Sequence, residues 1–141
     1  MGSVTVTAEL HDTDPETVAS FNDVRNRFEN LGDEMKEHLY AVFLNAGNEE
    51  LAEKLIGLGN AAETSVDIAD IARTAVLTNA AAVILVHNHP SGDPSPSDAD
   101  VTTTEEIRDA LALFDIALMD HVIIAWDDAH SLRHTHPDLF D

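Results

Sequence analysis

The stretch from His87 to Asp100, HNHPSGDPSPSDAD, gathers metal-ligating side chains where an apolar run gives way to a loop. In extended backbone, residues two apart point the same way, so the imidazoles of His87 and His89 can face one ion while Asn88 points away. Asp100, brought back by the start of a following helix, supplies an oxygen as a third ligand. Three protein ligands leave one position on a tetrahedral zinc for water, and an open position implies catalysis. The chain has no cysteine, so a disulfide framework and a thiolate site are excluded, and any metal must be held by His, Asp or Glu. Plainer explanations exist for the same residues. Ser97 and Asp100 make a Ser-x-x-Asp capping box, and a His-x-His pair can simply face solvent at a strand end.

Such a site needs a strand before it and a helix after it, and the periodicity supplies both. The run Ala80–Val86 is continuously apolar, too short for a membrane and suited to a strand buried on both faces at the centre of a sheet. After the Pro-, Gly- and Ser-rich loop from Asn88 to Ser97, a helix carries Ile107, Ala110, Leu111 and Phe114 on one face. Leu118–Trp126 reads as another strand, Asp127 and Asp128 as a turn, Ser131–Arg133 as a short return strand, and His134–Asp141 as a loose tail.

Upstream, Val4–Leu10 alternates like an edge strand, and Asp14-Pro15 opens a helix with Val18, Phe21, Val24 and Phe28 on one face, ended by Gly32. Glu37–Leu44 is rich in strand formers, and the turn signal Asn45–Asn48 leads into a second arm, Glu50–Leu58. That arm could be helix on propensity, and only the turn before it favours strand. Ile68, Ile71, Ala72, Ala75 and Val76 mark an amphipathic helix that Ser65 can start. With 141 residues, 44% of them hydrophobic, and no internal repeat or linker, a single domain over residues 1–141 is expected.

Against 27 Asp and Glu stand 7 Lys and Arg, for a formal charge of −20, and the acids run from Glu9 to Asp141 rather than in a tail. A folded acidic protein with only Lys36 and Lys54 as lysines fits a halophile's salty cytoplasm, where charge repulsion is screened. The charge argues against direct nucleic-acid binding, which depends on Lys and Arg contacts to phosphate. Met1–Leu10 has neither a basic start nor an apolar core, and no run reaches the ~18 apolar residues of a membrane span, so a cytoplasmic location without a membrane partner is expected.

Pro90 directly after His89, ten residues between His89 and Asp100, and Ser97 three before Asp100 together resemble the JAMM (MPN+) zinc metalloprotease motif. The HNHPSGDPSPS text, the AVILV run before it and Asp120-His121-Val122-Ile123-Ile124 narrow the resemblance to the RadC-like family, over roughly Phe21 to Leu132. The resemblance implies an α/β fold of the cytidine-deaminase-like kind, a three-layer α/β/α arrangement with a mixed central sheet flanked by helices, its core about residues 15–133. It implies Zn2+ as cofactor, held by His87, His89 and Asp100, with Glu37 at the start of a strand as the catalytic carboxylate and Glu34 as the fallback. Read without the family, Glu37 is one surface acid among many.

The chemistry implied is metal-assisted hydrolysis of a peptide or isopeptide amide in a protein or modifier conjugate. Glu37 takes a proton from an activated water and returns it to the leaving amine, while Ser97 donates to the developing oxyanion. Two departures stand out: the helix-hairpin-helix region that often precedes this domain is missing, and the arm after Gly47 is more helical in composition than usual. The alternative reading is a RadC-like metal-binding module acting in a DNA-repair or DNA-transaction assembly without proteolysis. Zinc hydrolysis of nucleic acid is disfavoured by charge, and an oligomer is left open. Asp120 and His121 read either as a supporting pair behind the ligands or as ordinary strand residues. His134 and His136 get no role, and His11, His38 and His130 read as surface or edge positions.

Overall fold

Strand alternation sorts the apolar side chains of this protein onto two faces of one sheet. The computed structural model describes residues 9–10, 18, 20–60 and 63–140. Within them β1 (Glu9–Leu10), β2 (Glu37–Leu44), β3 (Glu50–Asn60), β4 (Glu63–Val66), β5 (Ala82–Asn88), β6 (Ala117–Ala125) and β7 (Asp128–Ser131) form a mixed sheet. The order is β1-β3-β2-β5-β6-β7, with β4 also paired to β3. Only β5 and β6 run parallel among these pairs. A parallel pair needs a crossover, and the helix Asp98–Ala112 (α3 in chain order) supplies it.

On one face Leu39, Phe43, Val83 and Leu85 pack with Ile71 of the helix Ile68–Leu77 (α2) and with Ile107 and Leu111 of α3. On the other, Val42, Ile84, Val86 and Val122 pack with Val24 and Phe28 from the helix Phe21–Arg27 (α1) and its end. Helices on both faces of a mixed sheet make the expected three-layer α/β/α arrangement. Glu50–Asn60 is strand despite its helical composition, because it pairs with β2 along its length and buries Ala52 and Ile56. Pairing and burial outweigh the few tenths of a kcal/mol per residue that propensity offers. Among the described residues no helix is long and apolar enough to cross a membrane.

Several local expectations are corrected. Helix α2 is capped by Asp67, which accepts from Asp70 N, while Ser65 lies in β4 opposite Leu58. Gly32 does not end α1, which stops at Arg27 and passes into a 3-10 turn at Glu29–Asp33. Glycine is needed there because a Cβ would collide with the carbonyl oxygen of Trp126. Val76 and Phe114 are about half exposed, the latter because α3 has already ended and the chain turns through Asp115 at a φ of 57°. The return strand is Asp128–Ser131, beginning three residues earlier than expected, and the tail is not loose. Leu132, in the short helix α4 (Leu132–Thr135), and Leu139 are buried against Ile123. Of the expected first strand only Glu9–Leu10 lies within the described residues; Asp14, Pro15, His11 and Asp141 lie outside them.

Candidate metal centre

The candidate site sits where β5 leaves the sheet, at the carboxyl end of the parallel β5–β6 pair, where crevices form in α/β proteins. Alternation along β5 puts His87 on the α3 face with Leu85 and sends Asn88 to the α1 face with Val86. His87 Nε2 lies 3.5 Å from Asp100 Oδ1, and His89 Nε2 lies 3.0 Å from Asp100 Oδ2. Ligands about 2.0–2.2 Å from a tetrahedral zinc stand roughly 3.3–3.5 Å apart, which the His87–Asp100 separation matches and the His89–Asp100 one, at hydrogen-bond distance, falls somewhat short of; the nitrogen and oxygen donors are of the kinds zinc takes. Glu37, at the start of β2, brings a carboxylate oxygen within 4.8 Å of ligand nitrogens of both histidines, so Glu37, His87 and His89 also make a group able to hold a metal. Two carboxylates therefore flank one imidazole pair. Glu34 contributes only its backbone carbonyl to this neighbourhood, as an acceptor from Asn88.

Helix α3 starts in a way that aims Asp100. Ser97 Oγ accepts from Asp100 N at 3.0 Å and Asp100 Oδ2 accepts from Ser97 N at 2.9 Å, a full capping box. The same Oδ2 faces His89, so the cap and the ligand set share atoms and are not alternatives. A hydroxyl carries one proton and two lone pairs, so Ser97 can accept from Asp100 N and still donate into the cleft.

Behind the imidazoles the hydrogen bonds fix which nitrogens carry protons. Thr104 Oγ1 donates to Asp100 O at 2.6 Å, which uses its only proton. At 2.7 Å from Thr104 Oγ1, His121 Nδ1 must then donate, leaving His121 Nε2 to accept. His87 Nδ1, 2.7 Å from that atom, is the donor, and its Nε2 faces Asp100 with a bare lone pair. His89 reaches the same end by a shorter route, its Nδ1 donating to Asp93 O at 2.8 Å. Partners of this kind hold ligand rings in place and are typically worth 10–100-fold in metal affinity. His121→Ala is expected to weaken zinc binding by about that 10–100-fold in a competition titration, and an unchanged Kd would show that His121 does not set the His87 ring. Of the two readings of Asp120 and His121, His121 follows the supporting one, against His87, and Asp120 the plain strand one. Asp120 turns to the other face, accepting from its neighbour's backbone N, from Ser131 Oγ and from Arg133 N.

Charge follows the geometry. Burial pushes the His87 pKa down to about 4, with the Asp100 charge opposing it, and burial first and His87 second hold His121 well below the usual imidazole range. At His89 burial also disfavours the charged form, but the hydrogen bonds to Asp100 and to Asp93 O, with the Asp100 and Glu37 charges, outweigh it and raise the pKa. Asp100 is depressed although burial works the other way, because His89, His87 and Ser97 N favour its ionised form.

The surrounding cleft has a volume of about 400 Å³, and Leu39, Val66 and Ala99 add apolar wall to the ligating groups. Its loop is held from outside by Trp126, whose Nε1 donates to Pro90 O at 3.2 Å. The indole lies flat against Gly92, at a φ of 85°, where a Cβ would sit 2.6 Å from the ring. Sequence reasoning missed Trp126, Thr104 and Asn88. For Thr104 a signal existed: Asp100, Thr104, Ile107 and Leu111 share one helical face. His130, His134 and His136 lie away from the site, with His130 and His136 each bonded to Thr135 Oγ1.

Comparison with known proteins places this geometry in a family. The profile of the RadC-like JAB domain matches residues 13–137. Similar curated proteins include UPF0758 proteins of Chlorobaculum parvum, 42% identical over 73% of this chain, and of Coprothermobacter proteolyticus, 40% identical over 72%. Another, from Neisseria meningitidis, is 36% identical over 86%. These matches cover 46%, 43% and 52% of the relatives' own lengths, so the chain spans about half of each. A profile match over nearly the whole chain and identities of this level show that the protein belongs to the RadC-like JAB domain family.

Proposed function

We propose that this protein is a zinc-dependent hydrolase that cleaves a peptide or isopeptide amide bond in a protein or modifier conjugate. The observation that carries the reading is the convergence of two imidazole Nε2 atoms on one carboxylate, with a second carboxylate within 4.8 Å, in an open cleft. His87, His89 and Asp100 would hold the zinc, since their nitrogen and oxygen donors are of the kinds zinc takes. The chemistry a zinc ion would supply at these residues is a lowered pKa for water, from 15.7 towards about 7, and polarisation of a carbonyl. Glu37 would act as base, taking a proton from water at its carboxylate and delivering it to the leaving nitrogen. Ser97 Oγ, already accepting from Asp100 N, points its remaining proton at the carbonyl oxygen as charge develops there. Leu39, Val66 and Ala99 give the cleft an apolar wall beside these groups.

The test is a panel of peptide and isopeptide-linked substrates offered to the zinc-loaded protein in molar salt. Cleavage is expected, lost on treatment with a chelator and restored by added zinc. A protein that holds about one zinc per chain yet cleaves no amide in the panel would overturn the hydrolase and leave a metal-binding module.

A further inference from the structure

Between the two histidines stands a residue that no step above uses. Asn88 is buried to 1% exposure, and its carboxamide leaves the imidazole face for the start of β2. Its Nδ2 donates to Lys36 O at 2.9 Å and to Glu34 O at 3.4 Å, and its Oδ1 accepts from His38 N at 2.6 Å. The bonds to Lys36 O and His38 N fall on either side of Glu37. Backbone pairing between β2 and β5 has ended by then at Leu39 and His87, and the backbone of His89 has turned to β6, its N donating to Ile124 O at 2.9 Å. The last rungs of β2 would meet nothing from β5. The carboxamide, with a donor end and an acceptor end like a peptide group, continues the ladder in its place.

We infer that Asn88 is a positioning residue that sets the Glu37 carboxylate against the metal site, by clamping the peptide groups on both sides of Glu37 to the strand that carries His87 and His89. This rests on Glu37 working at the bound ion, as argued under the proposed function. A carboxamide meets all three groups, with two N–H donors and a separate acceptor oxygen: an aspartate at this position would face two carbonyls without a proton, and a leucine would strand three backbone groups. Asn88 hydrogen-bonds none of the ligand nitrogens; its carboxamide acts on the chain on either side of Glu37.

The experiment compares cobalt(II)-loaded wild type, Glu37→Gln, Asn88→Ala and the double variant by visible absorption, a readout of the ion's surroundings that needs no substrate. Glu37→Gln is expected to shift the cobalt band. Asn88→Ala should shift it the same way and add nothing in the Glu37→Gln background, the non-additivity of a shared pathway. Cobalt Kd should stay within about threefold of wild type for Asn88→Ala, against the 10–100-fold typical of losing a partner that orients a ligand. If Asn88→Ala does not fold, Asn88→Ser carries the same comparison. In wild type the His38 amide should also be strongly protected from hydrogen exchange. A wild-type cobalt band in both Asn88 variants, additive shifts, a Glu37→Gln band identical to wild type, or a freely exchanging His38 amide would each overturn the clamp. Failure of amide cleavage would leave these comparisons standing, so loss of the hydrolase reading and loss of the clamp are told apart.

Discussion

Glu37→Gln is expected to reduce amide hydrolysis by about 10²–10⁴-fold while zinc stoichiometry stays at that of the wild type. Glutamine keeps the shape of the side chain and its place on β2 but cannot take a proton. Both carboxylates stand close to the imidazoles, and the variant separates their roles. If Asp100 is the ligand and Glu37 the base, Glu37→Gln keeps metal and loses turnover, whereas Asp100→Asn loses metal and also weakens the cap of α3. Cap losses typically cost about 1 kcal/mol, so the Asp100 variant should also melt slightly lower without metal. If instead Glu37→Gln strips the ion, Glu37 is the ligand and Asp100 the proton carrier. Elemental analysis of the two variants beside a cleavage assay distinguishes these cases.

How much of this was legible beforehand follows from where each contact comes from. Local geometry was enough for His87, His89 and Asp100, because two-residue alternation aims the imidazoles and a Ser-x-x-Asp start aims the carboxylate. Asn88 pointing away was equally local. What it meets was not, since its partners lie about fifty residues upstream. Of the Asp120–His121 pair read as a support behind the ligands, only His121 takes that place, and which of the two would do so was not legible for a different reason. Strict alternation from Leu118, which packs on the α2–α3 face, would put Asp120 on that face and His121 on the other. The β5–β6 register shifts between Val83 and Ile84, where Leu118 and Asp120 face successive residues, and this irregularity exchanges the two. No propensity marks it. Propensity likewise failed at Glu50–Asn60, where partners on both edges decide the conformation, and at Ser65, whose strand pairing left the cap to Asp67.

Stripping the metal should make this protein far less stable, and the loss should depend on pH in a direction set by the three histidines. At a free zinc concentration of 1,000 times Kd, binding to the folded state alone contributes about 4 kcal/mol, which for a domain of this size is a fall in Tm of roughly 10–20 °C on chelation. In the chelated protein His87, depressed to about 4, and His121 take up protons more readily when unfolded, where imidazole titrates near 6.5. Their contribution is therefore present above about 6.5 and is lost as pH falls towards about 4, with His87 alone worth on the order of 3 kcal/mol. His89 has the opposite sign: with its folded pKa raised, its contribution is complete below 6.5 and disappears as pH rises through that folded value. The metal-free Tm should thus pass through a maximum near pH 6.5. Zinc must displace the His89 proton, so zinc affinity should fall by about tenfold per pH unit below the raised His89 pKa. His87→Ala should abolish the zinc-dependent rise in Tm at every pH and flatten the acid limb of the metal-free curve. A chelated wild type whose Tm is unchanged between pH 7 and about 4.5 would mean that these imidazoles are not buried neutral, and the site as described would be wrong.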